Sequence, residues 1–413
     1  MEVVIIGSSA ASKSAAAALL KDRAADIKIT VISKDKKYFY SRVLLPNFIA
    51  GEIDQDALSF VGEDFFKDAR LGFMRGNVTS TDTDLKRVII EECGYKAYDK
   101  LIITTGSSPK MPYKEASHIE GIYCLRNFED ALEIKQRAQE AKACAVIGGG
   151  LVSMKAAWAL NSLGKKVTVL VESNRVLNKT LDLHCSSMVK DLFEKQGVNI
   201  KVGVGIDGFC TQGDKVSGVR LKDGSIIECD LVVVGKGVKP NTDLVKDTAI
   251  SIDKGILVDN CMHTSMPDIY AAGDVAQSSS ILCEEKDLFT LWPDAMEQGK
   301  IAAYNILGID REYQGGIGMN SAVFYGVPFI SIGNINDKAK DCYIYTKFNH
   351  KKNIYRKVVI KDKRIIGVIL AGDVSYAGMI YWDIRSGREV DSSEVYLTRE
   401  GLESLYLTRN RQI

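Results

Sequence analysis

Ala145-Val146-Ile147-Gly148-Gly149-Gly150-Leu151-Val152-Ser153 decides the fold of this 413-residue chain. A short apolar run ends in a tight glycine turn, and an Ala-rich helical stretch follows. Strand, turn and helix in that order aim backbone N–H groups and a positive helix end at a pyrophosphate. The pattern also stands near the N-terminus, as Val3-Val4-Ile5-Ile6-Gly7-Ser8-Ser9-Ala10-Ala11-Ser12. Gly7 precedes Gly148 by 141 positions (148 − 7). A single turn of this kind is a weak sign. Two of them predict two dinucleotides in one chain.

Bulk properties narrow the class. The length predicts two or three domains. A hydrophobic content of 46% beside 26% charged residues is globular composition. The net charge of +1 gives no reason to expect nucleic acid or an anionic membrane surface as partner. No apolar run reaches the length of a membrane span. Met1-Glu2 lacks the basic leader of a signal peptide. Nine cysteines are dispersed with no C-x-x-C pair, which predicts reduced thiols, a cytoplasmic location and no iron–sulfur or zinc site in this chain. His118, His184, His263 and His350 show no ligand spacing, so no metal site is expected.

The first unit reads as strand Val3–Ile6, helix Ala10–Leu20 and strand Lys28–Ile32. An all-apolar first strand fits a parallel sheet buried on both faces. Lys100–Thr105 is a further strand, ending in Gly106-Ser107-Ser108-Pro109. The second unit repeats the order with strand Cys144–Ile147, helix Leu151–Leu163 and strand Lys166–Val171. Lys222-Asp223-Gly224 marks a hairpin between Val216–Leu221 and Ser225–Glu228. Leu231–Val234 is another buried strand. After Pro240 the chain returns to the first domain through Asp268–Asp274 and a helix from Pro293 to Leu307. From Met319 the periodicity changes to strands Lys357–Lys361 and Ile365–Leu370 and a helix Tyr376–Ser386. The repeated Tyr-Leu-Thr-Arg at 396–399 and 406–409 reads as a frayed terminus, with docking on a partner as the alternative. The predicted fold class is α/β, with two Rossmann-like domains and a small C-terminal α+β domain. The first dinucleotide domain covers 1–112 and 241–318, a second, 113–240, is inserted in it, and 319–413 forms an interface or dimerisation domain.

Three stretches carry a resemblance. They are the Gly148 turn, Gly235-Lys236-Gly237-Val238-Lys239-Pro240-Asn241-Thr242, and Tyr270-Ala271-Ala272-Gly273-Asp274-Val275-Ala276. In order and separation they resemble the two-dinucleotide flavoprotein reductases of the pyridine nucleotide-disulfide oxidoreductase superfamily. Tyr40–Pro46, Ile49–Glu52 and Leu291–Gly299 are most similar to the branch containing rubredoxin reductases and the N-terminal half of NADH-dependent nitrite reductase. That branch also resembles the FAD/NAD subunits of phenylglyoxylate dehydrogenase and tungsten aldehyde oxidoreductase complexes.

The resemblance implies FAD at the first turn. Gly7 permits the tight turn, and Ser9, Ala10 and Ala11 are small enough for close phosphate approach. Ser9 and Ser12 depart from the glycine pattern. The acidic ribose ligand is absent, and either Ser33 or Asp35 takes its place. Asp274, after Gly273, matches the residue that bonds the ribityl chain. Arg42 falls where relatives place a base near the flavin or its phosphates. Val78 matches a position whose backbone meets adenine, Thr105 and Gly106 stand at the domain exit, and Trp292 is a wall near the flavin or part of the core.

The second turn implies NAD. Gly148 and Gly150 shape it, Leu151 and Val152 open the helix, Gly235 belongs to the same site, and Gly237 leaves room for the nicotinamide. Ser153 replaces the third glycine, which predicts a wider separation of helix and strand. Glu172 ends the second strand, where a carboxylate accepts bonds from both ribose hydroxyls. It also repels an NADP phosphate. Two unit charges about 4 Å apart interact by roughly 4 kcal/mol at an effective dielectric near 20. A third of that is about tenfold in affinity, so NADH is the expected nucleotide. Lys155 stands where relatives carry a glutamate that seats the nicotinamide, which reverses the local charge.

Disulfide reductases of this superfamily carry C-x-x-x-x-C on the first helix, and related oxidases carry one cysteine near positions 40 to 45. Tyr40-Ser41-Arg42-Val43-Leu44-Leu45 has none, and the first cysteine is Cys93. Thiol-relay chemistry lacks its nucleophile. The expected function is an FAD-dependent, NADH-linked oxidoreductase. It would exchange electrons with a rubredoxin- or ferredoxin-like protein, or with an iron–sulfur co-subunit, as a homodimer or in a hetero-oligomeric complex. No acid–base catalytic residue is required. The alternatives are an NADH oxidase or small-molecule reductase acting at the flavin, and a non-catalytic nucleotide-binding subunit.

Overall fold

A computed structural model describes residues 1–22, 26–335, 341–390 and 394–410. They form two compact units. The first comprises Met1–Lys110, Arg126–Leu132 and Gly237–Gly316, and the second Met111–Leu125, Glu133–Lys236 and Ile317–Ile413.

In the first unit a five-stranded parallel sheet runs in the order Ile269–Ala271, Lys100–Ile103, Glu2–Ile6, Lys28–Ser33, Leu71–Arg75. Val3, Val4 and Ile5 are fully buried, as a strand covered on both faces requires. The helix Ala10–Lys21 follows the central strand directly. It packs against the helix Trp292–Ile306 so closely that a Cβ on Gly299 would lie 2.1 Å from Ala11 O. Pro293 sits in the first turn of that second helix, where its missing N–H costs nothing.

The second unit repeats this sheet with Ile122–Cys124, Leu231–Val234, Ala143–Ile147, Lys166–Val171 and Asn199–Val202, again all parallel. The strand that feeds the glycine turn is central in both sheets. The helix Leu183–Lys195 starts at Asp182, whose side chain accepts the Cys185 N–H at 3.0 Å. The Lys222-Asp223-Gly224 turn joins antiparallel strands Lys215–Leu221 and Ile226–Glu228, as its residues predict.

Residues from Met319 build an antiparallel five-stranded sheet in the order Met319–Phe324, Val327–Gly333, Arg364–Ala371, Ile354–Lys361, Tyr343–Asn349, with the helix Ala377–Arg385 packed on it. The tail departs from the frayed reading. Arg399–Asn410 is helical, Tyr396 is buried, and its hydroxyl donates to Asp383 at 3.0 Å. One buried ring and one buried acceptor outweigh the polar composition around them. The final residues, 411–413, lie outside the described residues.

Candidate functional site

The two turns have one geometry. Gly7 has φ +112° and its N–H donates to Ile32 O at 2.8 Å. Gly148 has φ +115° and its N–H donates to Leu170 O at 2.8 Å. A Cβ at Gly7 would lie 2.2 Å from Thr104 O, and one at Gly148 would lie 2.3 Å from Gly235 O. Both positions therefore exclude every side chain, on backbone angle and on space. Ser9 and Gly150 are the N-caps of the helices that follow. Neither helix has a side-chain cap bond or an acidic residue in its first turn. The leading N–H groups of both helices are thus left for an external acceptor, which suits a pyrophosphate.

Around the first turn, Ala10 and Ala11 are buried against Ala272 and Ala295. Ser12 Oγ is buried and makes no hydrogen bond among the described residues. Ser33 is the last, buried residue of its strand, and its Oγ accepts from Ser8 Oγ at 2.9 Å and from Asp35 N–H at 3.2 Å. Ile6 pairs with Ile32 and Ile147 with Leu170, so by register Lys34, not Ser33, is the counterpart of Glu172. Asp35 is engaged elsewhere. Its Oδ2 lies 2.7 Å from Arg42 Nη2. Arg42 Nη1 also donates to Tyr40 OH at 2.8 Å and to Arg126 O at 3.1 Å. Arg42 is therefore held by this network through three donors.

Asp274 Oδ2 accepts from Arg126 Nη2 at 2.7 Å and from Ser107 Oγ at 2.8 Å. Arg126 also gives its Nε–H to Ser107 O at 3.0 Å. Gly273 has φ +79°, and its N–H donates to the buried Gln298 Oε1 at 2.8 Å. Thr105 and Gly106 are fastened to Asn241. Its Nδ2 donates to Thr105 O at 2.9 Å and its N–H to Gly106 O at 2.9 Å. Val78 is half-buried on the strand Val78–Asp82, and Trp292 meets the Phe60 ring edge-on at 4.7 Å.

Arg126 is the residue that sequence reasoning missed. It immediately precedes a reciprocal cap in which Asn127 Oδ1 accepts the Asp130 N–H and Asp130 Oδ2 accepts the Asn127 N–H, at 2.8 and 3.0 Å. The Asn127-x-x-Asp130 spacing was the available signal for that helix start.

At the second turn, Leu151 is half-buried and Val152 exposed. Ser153, for which a wider separation of helix and strand is expected, sits directly against Gly235. Its buried Oγ donates to Gly235 O at 3.2 Å, and a Cβ on Gly235 would stand 2.2 Å from that oxygen. The space that a third glycine would leave on the helix comes from Gly235, just past the facing strand Leu231–Val234. Gly237, φ +86°, begins the segment that re-enters the first unit, where its O accepts the Lys110 N–H.

Lys155 is turned to a structural task. Its Nζ donates to Val323 O at 2.8 Å and lies 4.8 Å from the Trp158 ring centroid and 5.3 Å from that of Phe324. Glu172 Oε2 lies 2.8 Å from Lys236 Nζ. That hydrogen bond and the ammonium charge hold the exposed Glu172 carboxyl below the usual carboxylate range.

No disulfide joins the cysteines among the described residues. Burial pushes the thiols of Cys144 and Cys229 up to about 12, so neither offers a thiolate near neutral pH. One group of potential ligands that spacing did not reveal comes together: Asp259, Cys261 and His263, with ligand atoms within 4.8 Å of one another. Asp259 accounts for that turn through bonds to the N–H groups of Cys261 and His263 and to the His263 ring.

Residues 1–299 match the pyridine nucleotide-disulphide oxidoreductase family, and residues 319–388 match the rubredoxin NAD+ reductase C-terminal domain. The chain belongs to the pyridine nucleotide-disulphide oxidoreductase family. FAD and NAD(H) are the cofactors of that family, and the two turns fit one dinucleotide each. The chain is 29% identical to the nitrite reductase [NAD(P)H] of Bacillus subtilis over 95% of its own length and 48% of that protein. It therefore spans about half the length of that relative. It is 30% identical to an NADH oxidase of Methanocaldococcus jannaschii over 76% of this chain and 71% of the other. The crystal structure of NADH:rubredoxin oxidoreductase from Clostridium acetobutylicum superposes with a TM-score of 0.79 at 27% identity, covering 98% of this chain and 99% of that one.

Proposed function

We propose that this chain is an FAD-dependent NADH oxidoreductase that exchanges electrons with a redox protein or an iron–sulfur subunit. The observation that carries the reading is the duplicated turn, with φ near +112° and +115° at Gly7 and Gly148 and open helix N-termini behind both. The matched C-terminal domain and the rubredoxin-reducing relative support a protein partner. The thiol-free Tyr40–Leu45 stretch argues against a disulfide relay.

In this reading residues 1–112 and 241–318 hold FAD, 113–240 hold NAD, and 319–413 form an interface, in a homodimer or a complex. FAD contacts come from Gly7, Ser9, Ala10, Ala11, Ser33, Arg42, Val78, Thr105, Gly106, Gly273, Asp274 and Trp292. NAD contacts come from Gly148, Gly150, Leu151, Val152, Glu172, Gly235 and Gly237. Bound FAD supplies a centre that accepts hydride from NADH and releases electrons singly. The chain's own work is to orient. The two turns seat the pyrophosphates, and Arg126 and Ser107 fix Asp274 on Oδ2, leaving Oδ1 as an acceptor. Nine cysteines with no disulfide among the described residues support a reducing, cytoplasmic setting. No helix among the described residues is long and apolar enough to cross a membrane.

Anaerobic NADH titration of the purified protein tests this. Bleaching of a flavin band, with electrons then passed to added rubredoxin or ferredoxin, is the expected outcome. Protein free of flavin sinks the proposal. Similarity to an NADH oxidase favours a second reading, reaction with oxygen at the flavin, for which oxygen uptake without any protein acceptor is the mark.

A further inference from the structure

Glu172 and Lys236 lie just past the ends of the strands Lys166–Val171 and Leu231–Val234, which flank the one that feeds the Gly148 turn. Ile147 is in register with Leu170 on one side and with Val234 on the other. Glu172 lies two positions past Leu170, and Lys236 two positions past Val234. Strands are about 4.8 Å apart, so the two outer strands are separated by roughly twice that. The Lys236 side chain closes the gap, and its Nζ reaches Glu172 Oε2 at 2.8 Å. The ion pair therefore passes over the C-terminal end of the central strand, where a parallel sheet receives its nucleotide. Lys236 is the more sheltered partner, with a side chain 20% exposed against 64% for Glu172.

We propose that Lys236 sets the nucleotide choice of this site: by neutralising Glu172 it lets the turn accept NADPH as well as NADH. The inference rests on reading Gly148–Gly150 as the nicotinamide-nucleotide turn. A lone carboxylate at a strand end accepts both ribose hydroxyls and rejects a 2′-phosphate by charge. Paired with an ammonium, the same carboxylate presents no net charge, and the ammonium is itself a phosphate donor. A second cation stands close in the chain. Arg175, three residues beyond Glu172, donates from Nη2 to Asn178 O, and its buried Nε has no partner among the described residues. An arginine just past this strand end is the residue type that accommodates a 2′-phosphate.

Calorimetric titration of the flavin-loaded protein with NAD+ and NADP+ tests the proposal without turnover. Wild type is expected to favour NAD+ by less than about tenfold, and Lys236→Met to widen that ratio by about tenfold or more at low salt. Glu172→Gln should narrow the ratio, and in the double variant the effect of Lys236→Met should be lost. Salt should shrink the Lys236→Met effect, because the pair is partly exposed. An NAD+/NADP+ ratio unmoved by Lys236→Met, with NAD+ still bound, overturns this proposal alone. So does a wild type that excludes NADP+ by more than about a hundredfold. Binding of neither nucleotide overturns the reading of the turn, and this proposal with it.

Discussion

Arg126 Nη2 lies 2.7 Å from Asp274 Oδ2, and the two residues are 148 positions apart in the chain. The arginine also holds Ser107 through its carbonyl, so three segments of the first unit meet at one carboxylate. Both side chains are partly buried, at 27% and 16% exposure, where an ion pair with shared hydrogen bonds outweighs a surface one. Arg126→Ala should destabilise the protein by about 2 kcal/mol, the scale of a hydrogen bond to a charged group, and should lower its flavin content. Arg126→Lys should recover part of both. Thermal unfolding and the flavin-to-protein absorbance ratio report the two effects. An unchanged ratio in the alanine variant would rule out a positioning role.

Gly148→Ala and Gly7→Ala should separate the two nucleotides. Each substitution forces a side chain onto a backbone angle near +115° or +112° and against a carbonyl oxygen. The cost is at least about 2 kcal/mol in either case. Gly7→Ala should lose flavin. Gly148→Ala should keep flavin and lose NAD+ binding. Denaturant midpoints together with calorimetry check both, and loss of flavin in the Gly148 variant alone would contradict the assignment.

Lys155→Glu installs the residue that the family resemblance implies at this position but should not improve nucleotide binding. It removes the bond to Val323 O and two contacts with aromatic faces, and it sets a carboxylate against a carbonyl oxygen. A loss of about 1–3 kcal/mol in stability is expected. A variant as stable as wild type with tighter NAD+ binding would refute this account of Lys155.

Asp268 carries a pH-dependent part of the stability. Hydrogen bonds from Lys100 and Lys86, followed by their charges, lower its carboxyl below the usual range. The folded value is depressed, so the stabilisation is complete above the unfolded value of about 3.9 and is lost as pH falls through the lower folded value. Asp268→Asn should therefore be destabilised by a constant amount from neutral pH to about pH 5, with the gap closing towards about pH 3. Urea midpoints across that range decide it, and a gap that grows on acidification would reverse the sign.

Chain order alone determined the two strand–turn–helix units, the hairpin at Lys222-Asp223-Gly224 and the helix around Trp292–Ile306. These are local. A run of buried β-branched residues, a glycine that alone tolerates a positive φ and an Ala-rich stretch are all contained within about a dozen neighbouring residues. The partners of the charged groups were another matter. Lys236 meets Glu172 across 64 positions, Ser153 meets Gly235 across 82, and Lys155 meets Val323 across 168. A parallel sheet returns every strand to the same edge through long crossovers, and the helix carrying Lys155 packs on a strand of the separate antiparallel sheet, so both gather residues whose separations follow no period. The room for Ser153 was illegible for that reason: it comes from Gly235, just past another strand, Leu231–Val234. Glu172 was legible as an acid at a strand end, but whether its charge is free or spent on Lys236 was decided only when the two flanking strands closed around Ile147.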